Sequence, residues 1–181
     1  MRITGGSLGG RTIAVAKGDL EIRPAMDMMR ESVFAILGGT LGGATFLDLF
    51  SGSGIVGIEA YSRGASEVVL VEKDPAKRRT LLGNAELAEG HAKVRIMPVE
   101  RYLKYGKEGP FDFVFLDPPF PYRFKRELLE MLEASSLLAE TGTAMIHSPR
   151  EDELPEEIGA LRMTDLRKFG RSLVRFYRFS R

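Results

Sequence analysis

Phe111-Asp112-Phe113-Val114-Phe115-Leu116-Asp117-Pro118-Pro119-Phe120 begins as a strand and ends as something no strand can be. Phe111, Phe113 and Phe115 take one face, with Val114 and Leu116 on the other, so both faces are apolar. That pattern suits a central strand covered by helices on both sides. Proline lacks an N–H and has a fixed φ, so the ladder stops at Pro118 and Pro119. Asp117 is thereby left at the carboxyl end of a buried strand. In an open α/β sheet that edge is where ligands bind. Phe120 adds a flat ring beside the carboxylate.

Around this strand the chain alternates strands and helices. Strands are expected at 45–50, 67–71, 93–97, 111–116 and 143–147, with helices at 55–63, 75–88, 100–105 and 122–132. Alternation of this kind implies a parallel sheet with helices on both faces. Two further strands, at 161–168 and 173–179, form a terminal hairpin near Gly170-Arg171-Ser172 and make the sheet mixed. Ahead of the sheet, Met1–Thr4 and Arg11–Val15 read as short strands around glycine turns. Asp27 is placed as the N-cap of a helix over 27–37, which Gly38-Gly39 stop. Residues 1–40 thus read as an arm and helix, and 41–181 as the main domain.

A glycine-rich turn joins the first sheet strand to its helix: Asp48-Leu49-Phe50-Ser51-Gly52-Ser53-Gly54-Ile55-Val56-Gly57. Gly52, Gly54 and Gly57 satisfy G-x-G-x-x-G, and Glu72 stands 20 residues after Gly52 at the end of the second strand. Small residues let a ligand press on the backbone, and a terminal carboxylate accepts hydrogen bonds from ribose hydroxyls. An adenosine-containing cofactor follows. NAD and S-adenosylmethionine both answer to that description, and Asp48 separates them. A carboxylate four residues before Gly52 repels a pyrophosphate and attracts an ammonium and a sulfonium. Asp117, on the same sheet edge, points the same way.

With 181 residues, 44% hydrophobic and 28% charged, the chain has the composition of one soluble domain. It has no Cys and only two His, His91 and His147, so neither a disulfide framework nor a His-rich metal site is expected. No apolar run approaches the roughly 20 residues of a membrane span. Met1-Arg2-Ile3-Thr4-Gly5-Gly6 lacks the apolar core of a signal peptide, which points to the cytoplasm. Net charge is +1, yet the segment 162–181 holds seven basic residues against Asp165 alone. With Phe169, Phe176, Tyr177 and Phe179 interleaved, it reads either as a phosphate-contacting surface or as an outer hairpin with a solvated face.

The motifs together resemble class I methyltransferases. More narrowly they resemble the RsmD-type bacterial methyltransferases of guanine N2 in small-subunit ribosomal RNA. The narrower likeness rests on Arg2-Ile3, Gly5-Gly6, Gly10-Arg11, Arg23-Pro24, Asp27 and Arg30-Glu31-Ser32-Val33-Phe34. Gly57-Ile58-Glu59-Ala60-Tyr61-Ser62-Arg63-Gly64-Ala65 and Asp117-Pro118-Pro119-Phe120 complete it. The resemblance implies a Rossmann-like, seven-stranded mixed sheet with one antiparallel strand. It implies S-adenosylmethionine as donor, leaving S-adenosylhomocysteine, with no metal. Asp48, Phe50, Ser51, Gly52, Ser53 and Gly54 would line the donor's methionine part, Glu72 would hold its ribose hydroxyls and the Val99 backbone its adenine, with Lys73 also among the cofactor-binding residues. Asp117, Pro118, Pro119 and Phe120 would hold a base swung out of its stack. Arg2, Arg11, Arg23 and Arg30 would grip ribosomal RNA, free or in an assembling small subunit, and the protein would act as a monomer. The chain departs from the family pattern at Ala25, at Pro98, and at His147-Ser148 after the fifth strand, where relatives often carry Glu. His147 is expected to pack or hydrogen-bond rather than to catalyse.

Other readings remain at this stage. The amine could belong to adenine or to a protein glutamine, although those enzymes more often carry Asn before the two prolines. Gly52, Gly54, Gly57 and Glu72 alone also allow an NAD-dependent oxidoreductase. A non-catalytic RNA-binding assembly factor is the third alternative.

Overall fold

The computed structural model describes residues 1–16 and 24–180. Its centre is one eight-stranded sheet in the order β3-β2-β1-β4-β5-β8-β7-β6. The strands are β1 (Thr45–Leu49), β2 (Glu67–Glu72), β3 (Ala92–Ile96), β4 (Phe111–Leu116), β5 (Leu138–Pro149), β6 (Glu157–Ile158), β7 (Leu161–Phe169) and β8 (Ser172–Phe179). β1 to β5 run parallel, and β8 joins β5 antiparallel. β7 returns antiparallel to β8 and so runs with the first five. This is the expected mixed sheet. The two-residue β6, pairing Glu157 with Arg162 and Ile158 with Leu161, extends the edge to eight strands where seven were anticipated.

Among the described residues five α-helices flank it: α1 (Pro24–Leu37), α2 (Ile55–Ser62), α3 (Arg78–Ala85), α4 (Val99–Tyr105) and α5 (Lys125–Ala134). One core packs Phe34, Phe46, Ile58, Leu70, Phe113 and Phe115 on one side of the sheet. A second packs Leu47, Val69, Tyr102, Val114, Leu116 and Leu129 on the other. Phe113 and Phe115 thus face one core and Val114 and Leu116 the other, as a doubly covered strand requires. Phe111, expected on the face of Phe113, instead packs in the second core, beyond a register shift between Phe111 and Phe113.

α1 begins at Pro24, so Asp27, expected as its N-cap, lies in its first turn, and β5 begins at Leu138, ahead of the expected 143. Two further elements differ for identifiable reasons. The stretch expected as one helix over 75–88 is a 3-10 turn (Pro75–Lys77), then α3, then a second 3-10 turn (Glu86–Ala88). Asp74 caps its start by accepting the Ala76 N–H at 2.9 Å. α5 starts at Lys125 instead of near 122. The Lys125 ammonium donates to the Phe120 carbonyl at 2.9 Å and to the Tyr122 carbonyl at 2.6 Å. Those carbonyls are held in a loop and not released to a helix ladder.

The N-terminal arm is a minimal hairpin with one antiparallel bridge, Arg2 to Thr12. Ile3, Leu8 and Ile13 sink into the same core as Phe34 and Phe46, so arm and sheet share one interior. Gly6 has φ +79, and a Cβ there would stand 1.8 Å from the Ser62 carbonyl oxygen. Only glycine lets the arm lie this close to the end of α2.

Candidate active site

Three loops at the carboxyl ends of β1, β2 and β4 surround one cavity of about 640 Å³. Asp48, Phe50, Ser51, Gly52, Ser53, Glu72 and Lys73 line it together with Asp117, Pro118, Pro119 and Phe120. Two motifs separated by more than sixty residues of sequence therefore face one space, because β1 and β4 are neighbours paired Leu49 to Leu116. Val99 lies apart from the lining, with its side chain packed in the second core.

The first half of the cavity is built from backbone. Phe50 takes φ 65, an uncommon value for a residue with a side chain. Gly54, at φ 82, precedes α2 in the left-handed region. A Cβ on Gly54 would come within 2.7 Å of Leu81, so the turn closes only over glycine. The turn delivers N–H groups to two acids. The Gly57 N–H donates to Asp48 Oδ2 at 3.0 Å. The Gly52 and Asp74 N–H groups each donate at 2.9 Å, to Glu72 Oε2 and Oε1 respectively. Each Glu72 oxygen has a second lone pair for a hydroxyl.

Asp48 is 1% exposed. Burial pushes its carboxyl up to about 8, and the negative charges of Asp117 and Glu72 add to the rise, while the Gly57 N–H opposes it. A cation entering this space would relieve all three acids. Ser53 Oγ is buried on the same lining without a hydrogen-bond partner among the described residues. An unsatisfied hydroxyl, a strained loop and a buried carboxyl awaiting a cation fit a bound polar, cationic adenosine compound better than a closed structural turn.

The second half is held by side chains. Asp117 Oδ1 is 2.8 Å from His147 Nδ1 on β5. The His147 ring also meets Phe120 edge-on, with centroids 5.5 Å apart at 64°. Phe120 itself is 39% exposed and offers a face to the cavity mouth. Beside it, Tyr122 meets Phe50 at 5.5 Å and Phe124 at 5.9 Å, so an aromatic row runs from the glycine turn to the surface.

A model of the conserved hypothetical protein 95 family matches residues 1–178. The Bacillus subtilis protein YlbH, named as an rRNA methyltransferase, is 36% identical over 182 residues, covering 98% of each chain. The small-subunit ribosomal RNA methyltransferase D of Escherichia coli K12 is 36% identical over 156 residues, covering 86% of this chain and 78% of that one. Among solved structures, the Escherichia coli protein named as the methyltransferase yhhF superposes with a TM-score of 0.87 at 32% identity. It covers 99% of this chain and is 98% covered in turn.

This chain belongs to the RsmD-type family of ribosomal RNA methyltransferases.

The structure redistributes the expected RNA contacts of this family member. Arg2 and Arg11 are exposed on the arm. Arg23 lies outside the described residues. Arg30 requires correction: it is 2% exposed and is an internal tie, not a free cation for phosphate. Its Nε donates to Glu59 at 3.1 Å, and its Nη2 to the Arg2 carbonyl at 2.8 Å and to Asp27 at 3.0 Å. Glu59, fully buried in α2, also takes Arg63 at 2.9 Å and the Thr4 hydroxyl. Glu59 and Arg63, one helical turn apart, are thus part of a network joining arm, α1 and α2. Of the basic tail, Arg175 is buried, whereas Arg167, Lys168, Arg171 and Arg178 stay exposed. Arg162 pairs with Glu157, Arg167 with Asp165, and Arg175 and Arg178 bond Ser148 and Thr143.

His147, expected to pack or hydrogen-bond, does both, on Phe120 and on Asp117, and Lys125 is a residue that motif reading passed over. Lys125 is buried, bonds two carbonyls of the loop after Phe120, and pairs with Asp152 at 2.6 Å. No spacing rule reveals either contact, because both depend on loops meeting across the sheet edge. Among the described residues no helix is long and apolar enough to cross a membrane.

Proposed function

We propose that this protein transfers a methyl group from S-adenosylmethionine to the exocyclic N2 amine of a guanine in small-subunit ribosomal RNA, releasing S-adenosylhomocysteine. The observation that carries the reading is the single cavity in which Asp48 and Glu72 face Asp117-Pro118-Pro119-Phe120. Asp48 and its glycine turn suit the cationic end of the donor, and Glu72 its ribose hydroxyls. Bound there, the donor supplies an electrophilic methyl group on a sulfonium.

The protein's own task is to make a poor nucleophile competent. The guanine N2 lone pair is delocalised into the ring. The Asp117 carboxylate and the Pro118 carbonyl are two acceptors at one strand end, and hydrogen bonds from both amine hydrogens hold the nitrogen partly pyramidal. Proline fixes the direction of its carbonyl. Phe120 stacks on the extruded base. Orientation supplies most of the rate, and no strong general base is needed when the proton leaves after transfer.

Arg2 and Arg11, exposed on the arm, suit the phosphates of ribosomal RNA, free or in an assembling small subunit. The protein acts as a monomer in the cytoplasm. Deleting the gene and mapping ribosomal RNA digests by mass spectrometry tests the assignment. One N2-methylguanine should disappear from the small-subunit RNA; an unchanged digest removes the reading.

A further inference from the structure

β5 brings to the cavity a residue with no role in the scheme above. The parallel register pairs Leu116 with Ile146, so the next residues, Asp117 and His147, leave neighbouring strands side by side. His147 is 1% exposed, whereas Asp117 lines the cavity and keeps part of its carboxylate open to it. The two meet at 2.8 Å through His147 Nδ1 and Asp117 Oδ1. A carboxylate oxygen only accepts, so the hydrogen of that bond sits on Nδ1. His147 Nε2 is buried with no hydrogen-bond partner among the described residues. Placing the hydrogen there instead would strand a donor without an acceptor and leave two acceptors facing each other at Nδ1. The other side of the ring is closed by Phe120. The imidazole thus touches the first and last residues of the Asp-Pro-Pro-Phe segment from a neighbouring strand of the sheet.

We infer that His147 is the positioning residue of the acceptor half. Its Nδ1–H holds Asp117 Oδ1, which turns Oδ2 toward the target amine, and its ring sets the angle of Phe120. A carboxylate on a strand end otherwise rotates about two side-chain bonds, and only some of those rotamers present an oxygen to the base. His147 removes that freedom before the base arrives. This role rests on the proposed guanine reading, since it assigns Oδ2 to an amine, but the Asp117–His147 bond exists without it.

Two measurements test it. Only His91 and His147 contribute imidazole nitrogens, so 15N NMR of the wild-type protein reads the tautomer directly. The hydrogen is expected on Nδ1 of His147, and its signal should move in Asp117→Ala. An Nε2–H tautomer, or a signal indifferent to Asp117, overturns the inference. The second measurement is kinetic. His147→Leu fills the ring's place without a donor and should lower kcat about 100-fold, the scale of a misplacement near 1 Å. S-adenosylhomocysteine should still bind within about threefold of wild type, as expected for a residue outside the donor half. His147→Asn puts an N–H where Nδ1 stands and should restore kcat to within about fivefold. Wild-type kcat in the Leu variant, or equal losses in the Leu and Asn variants, overturns the inference. If the wild-type protein methylates no guanine, the guanine reading fails by itself, and the nitrogen spectrum still decides whether His147 holds Asp117.

Discussion

The two halves of the cavity are fixed by different means. On the donor side every acid is held by main chain, Asp48 by the Gly57 N–H and Glu72 by those of Gly52 and Asp74. On the acceptor side the holding groups are side chains, His147 on Asp117 and Lys125 on the carbonyls after Phe120. A main-chain cradle forms as soon as its strand, turn and helix form, and it exists for any sequence that tolerates the turn. A side-chain clamp exists only once β4 and β5 lie side by side, and one substitution removes it. The donor half is therefore built to be generic, and the acceptor half to be specific to its substrate.

Substitutions that strike one half and spare the other probe this division. Asp117→Ala should cut methyl transfer by about 10²–10³-fold, the usual cost of one group aimed at the reacting centre. Calorimetry with S-adenosylmethionine should find donor affinity nearly intact. Affinity lost in parallel with activity would mean that the two halves are one.

The tie behind the donor half is tested by Arg30→Met. Breaking a buried ion pair costs about 3 kcal/mol, so Tm should fall by roughly 6–12 °C in a thermal melt. Arg63 still pairs with Glu59, which holds the cost at the lower end of the range. A Tm within about 1 °C of wild type, a change of under about 0.5 kcal/mol, would show that the network contributes nothing.

Asp48→Asn should move stability and binding in opposite directions. The Asp48 carboxyl lies near 8 in the folded chain against an ordinary 3.8. Between those values the unfolded chain ionises and the folded one does not, so folding loses stability as pH rises through that window. Asparagine removes the penalty and still accepts from the Gly57 N–H. A gain of about 2 kcal/mol in denaturant titration at pH 7 is expected, with donor affinity weakened about 30-fold by loss of a close charge. A variant that is less stable and binds normally would contradict the account of Asp48.

The smallest effect is on pH. A cationic donor requires ionised Asp48, so affinity should rise as pH approaches 8 and then level off. From pH 8.5 to 6.5 a weakening of about tenfold is expected in the wild-type protein and none in Asp48→Asn. A flat wild-type profile would remove the buried carboxyl from donor binding.

The same contrast explains what could be read in the sequence. The donor half was legible because its parts are close along the chain: Asp48, Gly52, Gly54 and Gly57 sit on one strand–turn–helix, and Glu72 ends the next strand. The buried character of β4 and the halt at Pro118 were legible from alternation and from proline's missing donor. The His147–Asp117 contact was not, since 30 residues separate the pair and only the order of strands in the sheet joins them. Arg30 misled for a related reason. A sequence shows a charge but not its burial, and Glu59, 29 residues further on, decides where that guanidinium goes. Lys125 passed unnoticed because an ammonium that ends a loop looks like any helix-starting lysine.

The most direct test is transfer of an isotopically labelled methyl group from S-adenosylmethionine by the purified protein to small subunits or their RNA. Nuclease digestion and mass spectrometry of the nucleosides then identify the acceptor. Label on N2-methylguanosine, present with wild type and lost with Asp117→Ala, is the predicted result. Label on adenosine or on protein, or donor binding with no transfer to any RNA, would contradict it.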